Sequence, residues 1–295
     1  MDAASNDLAQ ATEIFGRLRG RLFGIAYRML GTATEAEDIV QETWIRWQGT
    51  DRSVVLDPVA FLATTSTRLA LNLAQSARAR HESYVGPWLP EPVDTSADPL
   101  LGAERGEVLG LAMLLLLEKL TPTERAAYVL REAFDYPYGQ IAEIVQVSEV
   151  ASRQLVSRAR KHLSEERRAP ASLEDQQKLL VAFMAAARKG EIEELERLFA
   201  EDVVSYSDGG GLPRISHFPV VGRERVAKFL HAFAPHFWPG VDLTPSTANG
   251  QPVALLSREG DVFGVVALIA STEGIEQLFW VMNPEKLSRV AQRTG

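Results

Sequence analysis

Four of the fifteen prolines (Pro87, Pro90, Pro92 and Pro99) fall in the 20 residues from Ser83 to Gly102, where an even spread through 295 residues would place one. Proline fixes φ, removes a backbone donor and pushes the residue before it toward an extended conformation. The stretch therefore predicts a semi-rigid linker and argues against one continuous globule. A second, polar break, Ser164 to Ser172 (SEERRAPAS), contains Pro170. The expected organisation is a domain at 8–82, a linker at 83–102, a domain at 103–165 and a third at 173–295. At ~100–200 residues per domain, the length allows two or three.

Composition narrows the class. A hydrophobic content of 46% is that of a globular protein and excludes a disordered or collagen-like chain. The absence of cysteine removes a disulfide framework, a thiolate nucleophile and any cysteine-ligated metal, and fits a reducing compartment. The acidic start (Met1-Asp2-Ala3-Ala4-Ser5-Asn6-Asp7) does not read as a signal peptide. The longest apolar run, Leu109 to Leu117, falls short of the ~20 residues a membrane helix needs. A cytoplasmic protein without a membrane partner is expected. The net charge of −8 speaks against nucleic acid, but charge acts locally.

The first two pieces read as helical. Ile14, Leu18, Leu22, Ile25 and Met29 recur at helical spacing with Gly31 as a stop, and Thr34–Trp47 and Pro58–Arg80 follow. Thr121-Pro122-Thr123-Glu124 is a capping box with proline at the first helical position. The third piece opens with helices Leu173–Arg188 and Glu191–Phe199 around Gly190. Strand patterns follow at Val203–Ser207, Val253–Arg258, Val262–Ser271 and Ile275–Met282, the last three joined by tight turns. Helices followed by strands predict an α+β domain.

Tyr138 to Leu163 reads as a helix-turn-helix. Ile141, Ala142 and Val145 face one short helix, Gln146-Val147-Ser148 is the turn with Ser148 as N-cap, and a longer helix starts at Glu149. Ser152, Val156, Ala159 and Leu163 form its inner face. Arg153, Gln154, Ser157 and Arg158 lie on the outer face, with Arg160 and Lys161 a turn further on. From Ser148 to Arg168 the count is six basic against three acidic residues, locally +3. A recognition helix presents such groups to base edges and phosphates, although a salt-bridged solvated helix would carry the same charges. In the first piece, Asp38, Gln41 and Glu42 share an exposed helical surface, with Ile39 and Trp44 facing inward. That surface suits a solvated face, a protein-docking face or half of an acid–base or metal site. In the third piece Tyr206, Asp208, His217, His231 and His236 are candidate acid–base groups, with no second member at a diagnostic spacing. His231 is expected on a Val226–Phe233 helix and His236 in an aromatic loop beside Phe237 and Trp238. The Gly209–Gly211 triplet reads as a turn or, less well, as an anion cradle.

At these residues the chain resembles a known family. The run Asp38-Ile39-Val40-Gln41-Glu42-Thr43-Trp44, a helix ending Ser76-Ala77-Arg78-Ala79-Arg80, and the helix-turn-helix ending Leu155-Val156-Ser157-Arg158-Ala159-Arg160 resemble regions 2 and 4 of extracytoplasmic-function sigma factors. The linker words Tyr84-Val85-Gly86-Pro87 and Trp88-Leu89-Pro90-Glu91-Pro92, with Asp208-Gly209-Gly210-Gly211 and Asn283-Pro284-Glu285-Lys286-Leu287, are similar to the subgroup with a fused C-terminal SnoaL-like domain. The resemblance implies two all-α N-terminal domains followed by an α+β cone of the SnoaL-like, or NTF2-like, kind. It implies a sigma factor directing initiation at a narrow promoter set, with core RNA polymerase and promoter DNA as partners. Asp38, Gln41 and Glu42 would dock on the polymerase clamp. Arg68, Asn72, Arg78 and Arg80 would meet the −10 element, and Arg153, Gln154, Ser157 and Arg158 the −35 element. The linker would thread toward the polymerase active-site and RNA-exit channel.

The third domain is expected to regulate in cis through Trp88, Leu89, Pro90, Asp208, Gly209, Gly210, Asn283, Pro284 and Lys286, with Trp88 docking near Asp208–Gly211 or Asn283–Leu287. Catalysis, a cofactor and a metal are not expected; a small ligand in the third domain is left open. Two departures stand out. Asn72-Leu73-Ala74-Gln75 replaces an acidic residue followed by several basic ones, and Leu212 stands where a basic residue is expected. The first predicts weaker, less salt-sensitive −10 binding. The alternative reading is a helix-turn-helix regulator carrying a small-molecule-sensing or enzymatic domain.

Overall fold

The computed structural model describes residues 3–82, 84–94, 110–164 and 170–291. It divides into two compact units. The first comprises residues 1–82 with 98–109 and 113–165; the second comprises 83–97, 110–112 and 166–295. Ser83, the linker beyond Asp94, the start of the expected 103–165 domain and Glu165 to Ala169 lie outside the described residues.

In the first unit α1 (Ala3–Leu30), α2 (Ala33–Gly49) and α3 (Pro58–Glu82) pack together, joined by α5 (Pro122–Glu132), α6 (Tyr138–Val145) and α7 (Glu149–Ser164). A further helix, α4 (Leu111–Leu117), precedes α5. From Leu22 to Gly31, α1 and its end are buried all round rather than on one stripe, because α2 and α3 cover one side and α5 another. The capping box at Thr121 is present, with Pro122 at its first-turn position. Trp47, not Trp44, is the deeply buried aromatic of α2: it is 1% exposed and its indole donates to Ala11 O at 3.1 Å, while Trp44 is half-buried against Phe15. A helix of 17 residues passes through almost five turns, so its inward stripe drifts and takes up the second tryptophan.

The second unit is α+β. Helices α8 (Leu173–Lys189), α9 (Ile192–Leu198) and α10 (Arg223–Phe237) accompany one six-stranded sheet. Its strands are β1 (Phe199–Asp208), β2 (Val220–Val221), β3 (Asp242–Ala248), β4 (Gln251–Arg258), β5 (Asp261–Ser271) and β6 (Gly274–Val281), in the order β2-β1-β6-β5-β4-β3. Every neighbouring pair is antiparallel except β1 and β6, which run parallel. Phe183, Phe199, Leu230, Leu256, Val266, Leu268 and Leu278 are among the buried residues that join helices to sheet.

Two expectations are corrected, and one strand was not anticipated. The helix expected at Glu191–Phe199 stops at Leu198, and β1 begins at Phe199, four residues before the strand read at Val203. The helix expected at Val226–Phe233 runs from Arg223 to Phe237, so His236 is helical rather than in a loop. Pro235 sits in its last turn, where few later N–H groups depend on the lost ladder. Strand β3 had no sequence signal, being mostly exposed and containing Pro245. It is the edge strand, where a missing N–H can face solvent. No helix among the described residues is long and apolar enough to cross a membrane.

Replacing Trp47 by Phe removes the α2–α1 hydrogen bond from a fully packed site. It should lower the unfolding free energy by about 1–2 kcal/mol, measured as a shift of the urea midpoint at unchanged slope.

Candidate functional site

The parallel pairing of β1 with β6 brings distant residues to one end of the sheet. Asp208 ends β1 opposite Val281, and Met282 N–H donates to Asp208 O at 2.7 Å, extending the ladder by one residue. Asn283 then caps a short 3-10 turn, Pro284–Lys286, by accepting from Glu285 N–H at 3.0 Å. Lys286 is thereby turned back, and its Nζ lies 2.7 Å from Asp208 Oδ2. Both side chains are buried, at 7% and 0% exposure. A buried pair is stable only where other groups satisfy its remaining donors and acceptors.

The linker supplies them. Tyr84 Oη donates to Asp208 Oδ1 at 2.6 Å, and Leu89 N–H donates to Oδ2 at 2.9 Å. Lys286 Nζ donates to Leu89 O at 2.5 Å and lies 4.4 Å from the Trp88 ring centroid and 5.1 Å from that of Tyr84. Asn283 Nδ2 donates to Tyr84 Oη at 2.9 Å. Four residues beyond Leu89, Val93 N–H donates to Asn249 Oδ1 at 3.0 Å while Asn249 N–H donates to Val93 O at 2.8 Å. Leu89 through Val93 are buried, and Glu91, fully buried, lies 4.0 Å from Arg289. Trp88, Leu89, Asp208, Asn283 and Lys286 thus meet in one clasp.

The glycine triplet is part of the same device. Gly209 packs so closely on Ile215 that a Cβ would lie 2.6 Å away. Gly210 has φ +60 and would place a Cβ 2.7 Å from Asn283, and its N–H donates to Asp208 Oδ1 at 3.1 Å. The triplet is a turn that lets Asn283 approach. Asn249 was missed in the sequence, although Asn249-Gly250 (φ 54 and 70) is a type I′ hairpin signal. That turn joins β3 to β4.

The other expected groups lie apart from the clasp. Arg153, Gln154, Ser157 and Arg158 are exposed on α7, and Ser152, Val156, Ala159 and Leu163 are buried beneath them. Arg153 pairs with Glu149 at 2.5 Å, Arg158 with Glu124 at 3.0 Å and Arg160 with Glu132 at 2.6 Å. Burial works against the charge of Glu124, but hydrogen bonds from Thr121 and Arg158 outweigh it and hold its carboxyl below the usual range. Arg68, on α3, donates to Ile144 O at 3.0 Å and Glu143 O at 2.8 Å, the free carbonyls ending α6. Asn72 is exposed; the side chains of Arg78 and Arg80 lie outside the described residues. Asp38 and Gln41 are exposed on α2, and Glu42 pairs with Arg46 at 2.8 Å. Among the acid–base candidates, His231 Nδ1 lies 2.7 Å from Gly190 O, Tyr206 stacks on Phe279, His217 is exposed, and His236 lines an apolar cavity.

Asp208→Asn or Lys286→Met leaves the other partner buried without its countercharge, a change of about 3–5 kcal/mol in comparable pairs. Each should release the linker, speeding deuterium exchange of residues 84–94 by about tenfold or more. Burial, followed by the hydrogen bond to Asp208, holds the Tyr84 hydroxyl above its ordinary pKa. The clasp therefore favours the protonated phenol: its contribution is complete below about pH 10 and declines as pH rises above it. Exchange of the linker should rise faster above that pH in the wild type than in Tyr84→Phe.

The chain is similar to known proteins along almost its full length. Models of Sigma-70 region 2 and of Sigma-70 region 4 match residues 14–80 and 110–163. The ECF RNA polymerase sigma factor SigJ of Mycobacterium tuberculosis is 35% identical, over 95% of this chain and 96% of its own. The probable ECF RNA polymerase sigma factor SigI of the same species is 30% identical over 94% of each chain. The crystal structure of Mycobacterium tuberculosis SigJ superposes with a TM-score of 0.74 at 31% identity, covering 94% of this chain and 98% of that one. Two helical sigma regions in order, an α+β domain behind them and similarity along almost the full length show that the chain belongs to the extracytoplasmic-function RNA polymerase sigma factors.

Proposed function

We propose that this sigma factor is regulated in cis, its α+β domain acting as a latch on the linker between regions 2 and 4. The observation that carries the reading is the capture of residues 84–93 by Asp208, Lys286 and Asn249. In the initiating complex of this family the same segment is expected to thread toward the polymerase active-site and RNA-exit channel. One segment cannot occupy both places, so clasp and polymerase compete for it. No chemistry by the α+β domain is needed.

The helical unit adds a second restraint. Arg68 on α3 ends α6, while Arg125 on α5 donates to Met29 O at 2.7 Å, at the end of α1. Arg21 reaches Phe134 O at 3.1 Å and lies over the Phe134 and Tyr136 rings. Arg68 is assigned to the −10 element, and Arg153 to the −35 element, nine residues beyond Ile144. A nine-residue chain reaches at most about 32 Å, whereas 25 base pairs of duplex span roughly 85 Å at 3.4 Å each. Regions 2 and 4 must separate before both elements are read. Asp38, Gln41 and Glu42 remain the proposed clamp contact, and Asn72, Arg78 and Arg80 join Arg68 on the −10 strand.

Two measurements test this. Weakening the latch by Asp208→Asn, or removing the domain after residue 172, should change core-polymerase binding and promoter-specific transcription, the single substitution raising both by about tenfold for each 1.4 kcal/mol of latch lost. No change in either assay sinks the latch. Since the chain contains no cysteine, Asn72→Cys with Ser157→Cys gives a unique dye pair. Energy transfer between the dyes should fall on holoenzyme–promoter binding, and an unchanged signal would refute separation.

A further inference from the structure

The α+β domain contains a cavity of about 520 Å³, within the ~300–1,000 Å³ usual for small-molecule sites. Its wall is aromatic: Phe229, Phe233, Phe237, Trp238, Phe263 and Trp280 line it, and the rings of Phe237, Trp238 and Trp280 meet one another at centroid distances of 4.8, 5.9 and 6.3 Å. Trp280 is 5% exposed, and its buried indole N–H has no acceptor among the described residues. A buried donor left unmatched marks a place where an acceptor is wanted.

The charged groups of the lining are of one sign. Arg214 and Arg258 line the cavity with His236, and no Asp or Glu lines it among the described residues. Arg258 is anchored by donating to Phe237 O at 3.2 Å and by lying over the Phe263 ring, 5.1 Å from its centroid. Both arginines are exposed on the solvent side. An apolar ring-lined chamber with guanidinium groups at its edge suits a flat aromatic body bearing a carboxylate or another oxyanion.

The cavity also shares its wall with the clasp. Met282, Pro284 and Leu287 line the cavity, while Asn283 and Lys286, alternating with them, hold the linker. Ser207 lines the cavity and its neighbour Asp208 holds Lys286; adjacent residues of a strand face opposite sides. The turn Pro284–Lys286 thus has one face toward the cavity and the other toward the linker.

We propose that the cavity is a receptor site for an aromatic organic acid, and that the acid binds the clasped state preferentially and so reinforces the latch. The coupling rests on the latch proposed above; the site itself does not.

The test uses the full chain with 8-anilinonaphthalene-1-sulfonate as the aromatic anion and N-phenyl-1-naphthylamine as its uncharged counterpart. We expect one saturable site for the anion, read by dye fluorescence and by energy transfer from tryptophan. Ser288→Trp, which fills the cavity from an exposed lining position, should abolish it. Arg214→Gln with Arg258→Gln should weaken the anion by about tenfold or more, the fold-change of a lost charge-assisted contact, with little effect on the uncharged dye. Saturation with the anion should slow deuterium exchange at residues 84–94. Absence of saturable binding, or binding indifferent to Ser288→Trp, overturns the site. Equal effects of the arginine changes on both dyes overturn the acid. Unchanged exchange in the saturated protein overturns the coupling. Dye binding is read without polymerase, so a failed latch in transcription assays and a failed receptor site are told apart.

Discussion

A carboxylate as deeply buried as that of Asp208 must be surrounded by donors, and this one condition organises the second unit. Lys286 alone would leave lone pairs unmatched. The remaining donors come from Gly210 within the domain and from Tyr84 and Leu89 of the linker. The domain is therefore electrostatically incomplete without the segment it holds. Removing the linker exposes or orphans a charge pair rather than merely uncovering apolar surface. That condition also explains the glycine turn and the capped turn after β6, each of which brings one more group within reach of the same two oxygens.

In the helical unit the corresponding principle is exchange of helix ends. Each sigma region lends an arginine to the carbonyl end of a helix in the other: Arg125 to α1 and Arg68 to α6. The partners are backbone carbonyls at helix ends, which the helices themselves leave unpaired. The exposed arginines of α7 follow the same economy, each leaning on a carboxylate within the unit. The basic face is thus pre-ordered but partly neutralised by Glu124, Glu132 and Glu149.

Much of this was legible in the sequence, because the informative signals are local. The capping box at Thr121, the turn at Gln146–Ser148 and the hairpin at Glu259-Gly260 depend on a few neighbouring residues, and the structure contains each of them. What escaped depends on partners far along the chain. Strand β3 is specified by pairing with β4, not by its own exposed, proline-containing sequence. Trp44 and Trp47 compete for one interior position that only the packing of α1 decides. The linker words and the glycine and Asn-Pro words could be read as motifs, but their convergence on Asp208 and Lys286 requires knowing that β1 and β6 lie side by side. Asn249 carried a visible turn signal, whereas nothing nearby announces that its side chain holds Val93.

The one parallel pairing in the sheet has a mechanical meaning. Because β1 and β6 are hydrogen-bonded neighbours and Met282 continues their ladder to Asp208 itself, the sheet fixes Asp208, while the capped turn Pro284–Lys286 sets the reach of Lys286 toward it. Asp208 thus stands on the rigid side of the grip, and Lys286 on the side set by a short capped turn. On the latch proposed above, it is the short turn and not the strand ladder that decides how readily the linker is let go.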